Sequence, residues 1–244
     1  MRAPERDVAR PHRGWALAGL AAIVVAAAAV AATYTPLFAA RDIELRGAGD
    51  IPRARILRIA GVGEGTNVFH LDVRAVERRL EDDPRVFGAT VSTGLPDRVE
   101  IALVLRTPVA VVGWPGDLVG ADGVVIGPTA REPDLPSLVT GPGDPAEGDA
   151  LVIAARAAEA LGPSLRRAVD AIVVTDDGEL AVRLAAGFTA TLGPPTELEA
   201  KAGSLTALLE WVEQQDVSIV SADLTVPGSP TATLDGEGPA VPIP

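Results

Sequence analysis

The sequence predicts an α+β protein in which a single transmembrane helix precedes two folded domains. The first is a small β-α-α-β-β domain, and the second is a mixed, mostly antiparallel β domain with flanking helices. Three observations support this prediction. Residues 15–32 carry no charge, residues 41–106 show strand and helix periodicities in that order, and the chain beyond residue 108 is a series of short strands separated by turn residues.

The apolar run from Trp15 to Ala32 is eighteen residues long. With its extension through Phe38 it matches, as a helix, the hydrocarbon thickness of about 30 Å. The positive-inside rule places residues 1–14 in the cytoplasm and the rest of the chain outside it, because four arginines precede the run (Arg2, Arg6, Arg10 and Arg13). A cleaved signal peptide is the alternative, since ten of the eighteen residues are alanine, although the apolar region of such a peptide is usually shorter.

Composition excludes several classes of partner and chemistry. Residues 41–244 hold 17 arginines and lysines against 31 acidic residues, a net charge of −14. Such a surface repels nucleic acid and anionic lipid headgroups. The chain contains no cysteine, which excludes a disulfide, a thiol nucleophile and a thiolate metal site.

The elements of the first domain follow from periodicity and capping. Gly47 closes the first strand, and Asp72 is suited to cap the second helix. In the last strand Val99 and Ile101 share one face, as in a half-buried strand. The predicted elements are a strand at 41–46, helices at 50–59 and 72–81, and strands at 86–93 and 98–106.

The second domain is predicted as short strands around three helices. A capping box, Thr196-Glu197-Leu198-Glu199, opens the last helix, and residues 236–244 are predicted as a disordered tail because they hold three prolines and two glycines. The predicted strands are 109–112, 118–126 with a bend at Asp122-Gly123, 135–139, 171–175, 179–184, 188–192, 219–226 and 231–234, and the predicted helices are 149–161, 164–170 and 196–215.

No arrangement of residues predicts catalysis. His70 is the one histidine beyond the apolar run, and its place ahead of a helix favours a structural or exposed role. Hydrolase, zinc-protease and phosphate-loop motifs are absent from the sequence. The acidic runs at 81–83 and 176–177 lack the alternate spacing of a calcium loop and are interpreted as a solvated helix end and a hairpin turn. The sequence therefore predicts a non-enzymatic protein without a cofactor or a metal.

Particular residues at the joints between these elements resemble a known family. They are Gly47, Gly65-Thr66-Asn67-Val68-Phe69, Leu71-Asp72, Pro84 with Val86, Leu95-Pro96, Arg106 with Pro108-Val109-Ala110, Asp122-Gly123, Leu135-Pro136, Leu192-Gly193, Lys201 and Ala222-Asp223-Leu224. In this order they resemble the bacterial cell-division family FtsQ, called DivIB in some lineages. Arg85 stands where an aromatic residue is usual, Leu105 replaces an often acidic residue, and Trp211 is an isolated aromatic in the C-terminal region.

The resemblance implies a bitopic scaffold of the divisome in the cytoplasmic membrane, at the division septum. Its implied partners are FtsB/DivIC-like and FtsL-like bitopic proteins, with further contacts to divisome membrane proteins through the span and the first domain. Through these partners it would help recruit or regulate septal peptidoglycan synthesis. The implied segments are a cytoplasmic tail (1–14), a transmembrane helix (15–38), a POTRA-like domain (41–107), a β domain (108–235) and a disordered tail (236–244).

The resemblance also implies where the partner docks. In this family the FtsB-type partner adds a strand to a late edge of the β domain, where unpaired N–H and C=O groups supply affinity. The alternative is that these strands only complete the core. The residues implied are Ser221, Asp223, Leu224, Thr225, Val226, Thr231, Thr233 and Leu234, supported by the helix that carries Trp211.

Two other functions remain as alternatives. One is a POTRA-containing export or assembly factor, although residues 108–244 are too short and too acidic for the membrane-embedded domain that such a factor would normally carry. The other is an exported soluble enzyme or binding protein released by signal cleavage, which an alkaline wash of membranes would distinguish from an anchored protein.

Overall fold

The computed structural model describes residues 12–129, 134–141, 143–215, 217–235 and 241–242. Residues 1–11 of the predicted cytoplasmic tail lie outside the described residues. The chain divides into two compact units, with the boundary between Leu105 and Arg106.

An apolar helix opens the first unit. Helix α1, His12–Thr33, is 22 residues long, and its large apolar side chains between Leu17 and Val30 are exposed. A short 3-10 helix, Pro36–Phe38, follows it. Within the described part of the chain, no helix combines the length and the apolar character needed to cross a membrane. The transmembrane helix over residues 15–38 therefore stays a prediction.

The rest of the first unit is a three-stranded sheet with two helices. Its elements are β1 (Asp42–Arg46), α2 (Arg53–Ala60), α3 (Val73–Glu81), β2 (Val86–Gly94) and β3 (Arg98–Leu105). Strand β3 is central, because it pairs in parallel with β1 and in antiparallel fashion with β2. The predicted β-α-α-β-β order is confirmed.

The core of the first unit forms where the sequence alternation predicts it. Val99 and Ile101 of β3 are fully buried, and Val76 of α3 and Ile56 of α2 pack in the same cluster. Each such side chain contributes about 1.5–3 kcal/mol on burial. The predicted cap of α3 is confirmed, since a carboxylate oxygen of Asp72 accepts the N–H of Ala75 at 3.0 Å.

The acidic helix end expected to be solvated after α3 is buried at one residue, Asp83, while Glu81 and Asp82 are exposed. Asp83 is 8% exposed. Its carboxylate accepts one hydrogen bond from the guanidinium of Arg55 at 3.0 Å and another from the backbone N–H of Arg85 at 3.0 Å. The interpretation of Asp83 as a solvated residue is wrong, because Arg55 reaches it from α2. Burial alone raises the pKa of Asp83, but the bonds from Arg85 and Arg55 outweigh it, so the pKa lies below that of an ordinary aspartate.

This lowered pKa predicts an acid-sensitive first unit. A group with a lower pKa in the folded state stabilises the fold above its unfolded pKa, about 3.9, and this stability is lost as the pH falls through the folded value. We expect Asp83→Asn to lower the free energy of unfolding of this unit at neutral pH by about 1–3 kcal/mol and to flatten its dependence on pH below about 5.

Hydrogen exchange of peptides from β1–β3, followed between about pH 3 and pH 7, measures this effect once the intrinsic exchange rates are taken into account. The exposed neighbour Asp82 provides the control, since Asp82→Asn should leave the profile unchanged. Equal profiles for the Asp83 variant and the parent protein would show that Asp83 does not stabilise the first unit through a lowered pKa.

The second unit is a mixed sheet with two long helices. Its elements are β4 (Pro108–Val112), β5 (Asp117–Gly120), β6 (Val125–Pro128), β7 (Ser137–Thr140), β8 (Asp144–Pro145), α4 (Gly148–Arg166), β9 (Val169–Val174), β10 (Leu180–Leu184), β11 (Thr189–Gly193), α5 (Leu198–Gln215), β12 (Ile219–Asp223), β13 (Thr231–Leu234) and β14 (Val241–Pro242).

Among the described residues these strands form one sheet. Its order is β14-β13-β12-β11-β10-β9-β7-β4-β5-β6, and β8 pairs with β7. The pairs β4/β7, β7/β9 and β11/β12 are parallel, while the other pairs are antiparallel. The predicted mixed, mostly antiparallel sheet is therefore confirmed.

Several predicted boundaries differ from the structure. The strand expected over 118–126 is two strands, β5 and β6, because the chain reverses at the Asp122-Gly123 turn. The two helices expected at 149–161 and 164–170 correspond to the two parts of α4 on either side of the non-helical Gly162, but the second part ends at Arg166. Helix α5 begins at Leu198, so Glu197, not Thr196, precedes its first residue.

The core of the second unit lies between its sheet and α4 and α5. Leu138, Ile172 and Val182 from the strands are fully buried, as are Leu205 and Leu208 from α5. Leu205 and Leu208 lie three residues apart, so one face of α5 is turned toward the core. Of the predicted disordered tail, residues 236–240 and 243–244 lie outside the described residues, and Val241–Pro242 pair with β13 as β14.

Candidate functional site

The candidate docking residues lie mostly on the last long strands of the second unit. Ser221 and Asp223 belong to β12, and Thr231, Thr233 and Leu234 belong to β13. Strand β12 is not an edge, because β11 pairs with one side of it and β13 with the other. The outer position belongs to β13, which only the two-residue β14 follows in the described part of the sheet.

Four of the predicted residues share one polar face of the sheet. Ser221 lies opposite Thr233, and Asp223 lies opposite Thr231. Their strand neighbour Ala222 is buried, so the alternation of a strand directs these four side chains away from the core. The structure therefore brings Ser221, Asp223, Thr231 and Thr233 together.

The polar face continues onto β11, a strand that was not predicted to take part in docking. Thr189 pairs with Ser221, and Thr191 pairs with Asp223. Both threonines are exposed, whereas Ala190 between them is buried. The alternation of threonine with alanine and leucine in residues 189–192 is the sequence signal that could have identified them.

Three of the predicted residues are not part of a strand pair. Leu224 is fully buried, and its N–H donates to the carbonyl of Thr191 at 2.8 Å. Thr225 and Val226 lie in the loop after β12, where the N–H of Thr225 donates to a carboxylate oxygen of Asp223 at 2.8 Å. The strand expected over 219–226 thus ends at Asp223, because this local bond turns the chain.

The free edge is a property of the backbone of β13. The N–H of Asp235 donates to the carbonyl of Ser218 at 3.0 Å, toward β12. Because N–H directions alternate along a strand, the N–H groups of Leu234 and Ala232 point to the other side. Strand β14 covers that side at Thr231 and Ala232, while Thr233 and Leu234 have no strand partner there among the described residues.

The helix behind this edge is α5. Trp211 is half-buried and packs against the core cluster that includes Ala222 and Ala232, so it lies on the opposite face of the sheet from the four polar residues. Lys201 of the same helix is 1% exposed and donates from Nζ to the carbonyl of Pro194 at 2.6 Å. This bond joins α5 to the segment that follows β11.

Other candidate chemistry in the described residues has a structural role. His70 stacks on Tyr34 with ring centroids 4.3 Å apart, and its Nε2 lies 2.9 Å from the hydroxyl of Thr33. It thus ties the loop ahead of α3 to the end of α1. In the part of the chain that the structure describes, no group of three or more histidine, aspartate or glutamate side chains is placed to hold a metal ion.

Comparison with known proteins defines the class of the first unit. Residues 38–104 match the family described as the POTRA domain, FtsQ-type. This range covers the three-stranded sheet and both helices of the unit, apart from the last residue of β3. The first unit is therefore a POTRA domain.

The chain is also similar to curated cell-division proteins named FtsQ. It is 31% identical over 197 residues to the protein of Mycolicibacterium smegmatis, covering 79% of this chain and 58% of that protein. It is 29% identical over 218 residues to the protein of Mycobacterium bovis, covering 84% and 68%. The match to the protein of Mycobacteroides abscessus is 28% over 183 residues, covering 72% and 57%.

The first unit is thus a POTRA domain of the FtsQ type, and the chain as a whole is similar to cell-division proteins named FtsQ. The family matches and the residues quoted for the resemblance agree on this similarity. The matched part spans 58% of the length of the first of these relatives and 68% of the second.

Proposed function

We propose that this protein is a non-enzymatic, bitopic scaffold of the divisome that binds FtsB/DivIC-like and FtsL-like partners and helps recruit or regulate septal peptidoglycan synthesis. The observation that carries the proposal is the backbone of β13. This strand lies at the end of the described sheet, and its outward N–H and C=O groups belong to Ala232 and Leu234. Among the described residues, β14 covers Ala232 but not Leu234. A partner strand that pairs along all of β13 takes the place of Val241–Pro242 and extends the sheet.

The polar face beside this edge supports the same proposal. A partner strand added to β13 directs alternate side chains to each face of the sheet. On one face they meet the row that contains Thr233, Ser221 and Thr189, and the row that contains Thr231, Asp223 and Thr191. Hydroxyl groups bind either donors or acceptors, so this face selects partners with polar residues at alternate positions.

We further propose that the chain is anchored in the cytoplasmic membrane by residues 15–38, with its N-terminus in the cytoplasm and both domains outside. The uncharged run begins at Trp15, and α1 contains it as one continuous helix. Its apolar side chains, such as Leu20, Ile23 and Val25, are between 58% and 68% exposed. A lipid environment would cover these side chains.

Depletion of the protein from the cells that produce it tests the proposed function. We expect cells that grow without dividing, as undivided filaments or branched cells, because septal synthesis would lack its scaffold. Microscopy during depletion measures this, and expression of the full chain from a second locus should restore division. Normal septation in depleted cells would contradict the proposal.

A further inference from the structure

A cleft in the second unit is separate from the β13 edge. It lies where the start of β4 and the loop ahead of β7 meet the end of α4, and its volume is about 380 Å³. In the order of the sheet, five strands separate β13 from β4. With about 4.8 Å between neighbouring strands, the two places are on the order of 29 Å apart.

A buried arginine lines this cleft. Arg166 is 9% exposed, and its Nε is buried without a hydrogen-bond partner among the residues that the structure describes. None of the ion pairs found among the described residues includes Arg166. Arginine is rarely buried without a partner. The carboxyl end of α4 offsets part of its charge, but it supplies no acceptor for Nε.

The cleft combines positive charge with apolar walls. The exposed Arg167 lies beside Arg166, and Asp134 is the acidic residue among the lining side chains. Pro108, Leu135 and Pro163 supply apolar surface. Two cations against one carboxylate make the cleft positive in a chain whose net charge is −12.

We propose that this cleft binds a carboxylate side chain of an acidic, extended peptide segment of a partner protein. A guanidinium presents parallel N–H donors that match the two oxygens of a carboxylate. Folding has already removed most of the water from Arg166, so an arriving carboxylate meets a cation that is poorly hydrated and unpaired. The apolar walls hold the residues that flank the acidic one. The acidic surface elsewhere repels such a segment, so it binds at this cleft.

Titration of the full chain, solubilised in a neutral detergent and labelled with ¹⁵N-arginine, tests this proposal. The probes are N-acetylglutamate α-amide, its neutral counterpart N-acetylglutamine amide, and inorganic phosphate. We expect a saturable shift of the Arg166 Nε–H resonance with the glutamate probe, and binding at least about tenfold weaker for the glutamine probe. No saturable response to the glutamate probe, or equal binding of the two amides, would overturn the proposal, as would tighter binding of phosphate.

Two variants of Arg166 and a matched control identify the residue responsible. Arg166→Gln should abolish binding of the glutamate probe. Arg166→Lys keeps the charge but loses the paired donors, so it should weaken binding by about tenfold. Arg156→Gln removes an exposed arginine of the same helix and should leave binding unchanged.

In the variants of Arg166, shifts of other arginine resonances replace the lost reporter, and hydrogen exchange in β9–β11 verifies folding. Equal losses in the Arg156 and Arg166 variants would show only a general charge effect and would refute the site.

Discussion

Replacing Gly47 with alanine is expected to unfold the first unit while the second stays folded. Gly47 follows β1 with a φ of 70°, and a Cβ built on it would overlap the backbone carbonyl of Leu103. Left-handed backbone costs a residue with a side chain about 1–2 kcal/mol. The contacting atom belongs to the central strand β3, so it cannot move without breaking the pairing of β1 with β3. We expect a total loss of at least about 4 kcal/mol, which approaches the whole stability of a small domain.

Hydrogen exchange of the full chain separates the two units in this experiment. Peptides from β1, β2 and β3 should exchange rapidly in the Gly47→Ala variant, whereas peptides from β9–β11 should keep their protection. The control is Gly88→Ala in β2, where a Cβ would meet no atom within 4 Å. That variant should match the parent protein or be slightly more protected. Parent-like protection of β1–β3 in the Gly47 variant would show that the close approach to Leu103 does not exist.

Local pattern accounts for what the sequence predicted about the fold. The alternation of Val99 and Ile101 predicts their burial because a strand has a period of two wherever it lies. Asp72 predicts the start of α3 because the capping bond to Ala75 spans only three residues. Such short-range signals predicted the element order of the first unit.

Long-range contacts explain what the sequence could not predict. Asp83 resembles a solvated residue until Arg55, 28 residues earlier, reaches its carboxylate. Arg166 gives no sequence signal of burial, because its burial depends on how the end of α4 meets the start of β4 and the loop ahead of β7. The position of β13 outside β12 likewise depends on the parallel pairing of β11 with β12. Such pairing joins strands that are separated by a helix in the sequence.

The predicted docking residues also include some that follow from local pattern and others whose role depends on long-range pairing. Ser221, Asp223, Thr231 and Thr233 follow from alternation once the two strands are paired. Leu224 adds no free group to the edge, because its side chain is buried and its N–H already donates to the carbonyl of Thr191. A proline there would damage the sheet itself. Proline at Thr233 would do the same, because the N–H of that residue faces β12 by the alternation that Asp235 defines.

Leu234→Pro is the substitution that tests edge docking without breaking the sheet. The N–H of Leu234 points away from β12, and proline is tolerated on the outer side of an edge strand. The variant therefore keeps the bonds between β12 and β13 but removes one donor from the docking edge. A partner carbonyl left unpaired costs about 1–3 kcal/mol. We expect the affinity for the proposed FtsB/DivIC-like partner to fall by about tenfold or more, since 1.4 kcal/mol corresponds to a factor of ten.

Binding of the purified partner to the full chain, measured by titration, gives the affinity directly. Leu234→Ala is the matched control, because it shortens the same side chain but keeps the N–H. If main-chain pairing holds the partner, the proline variant loses affinity and the alanine variant loses much less. Protection of β12 against hydrogen exchange must be equal in the two variants, which shows that the sheet is intact. Equal affinities would mean that the partner binds through side chains alone, and the proposal of strand addition at β13 would then be wrong.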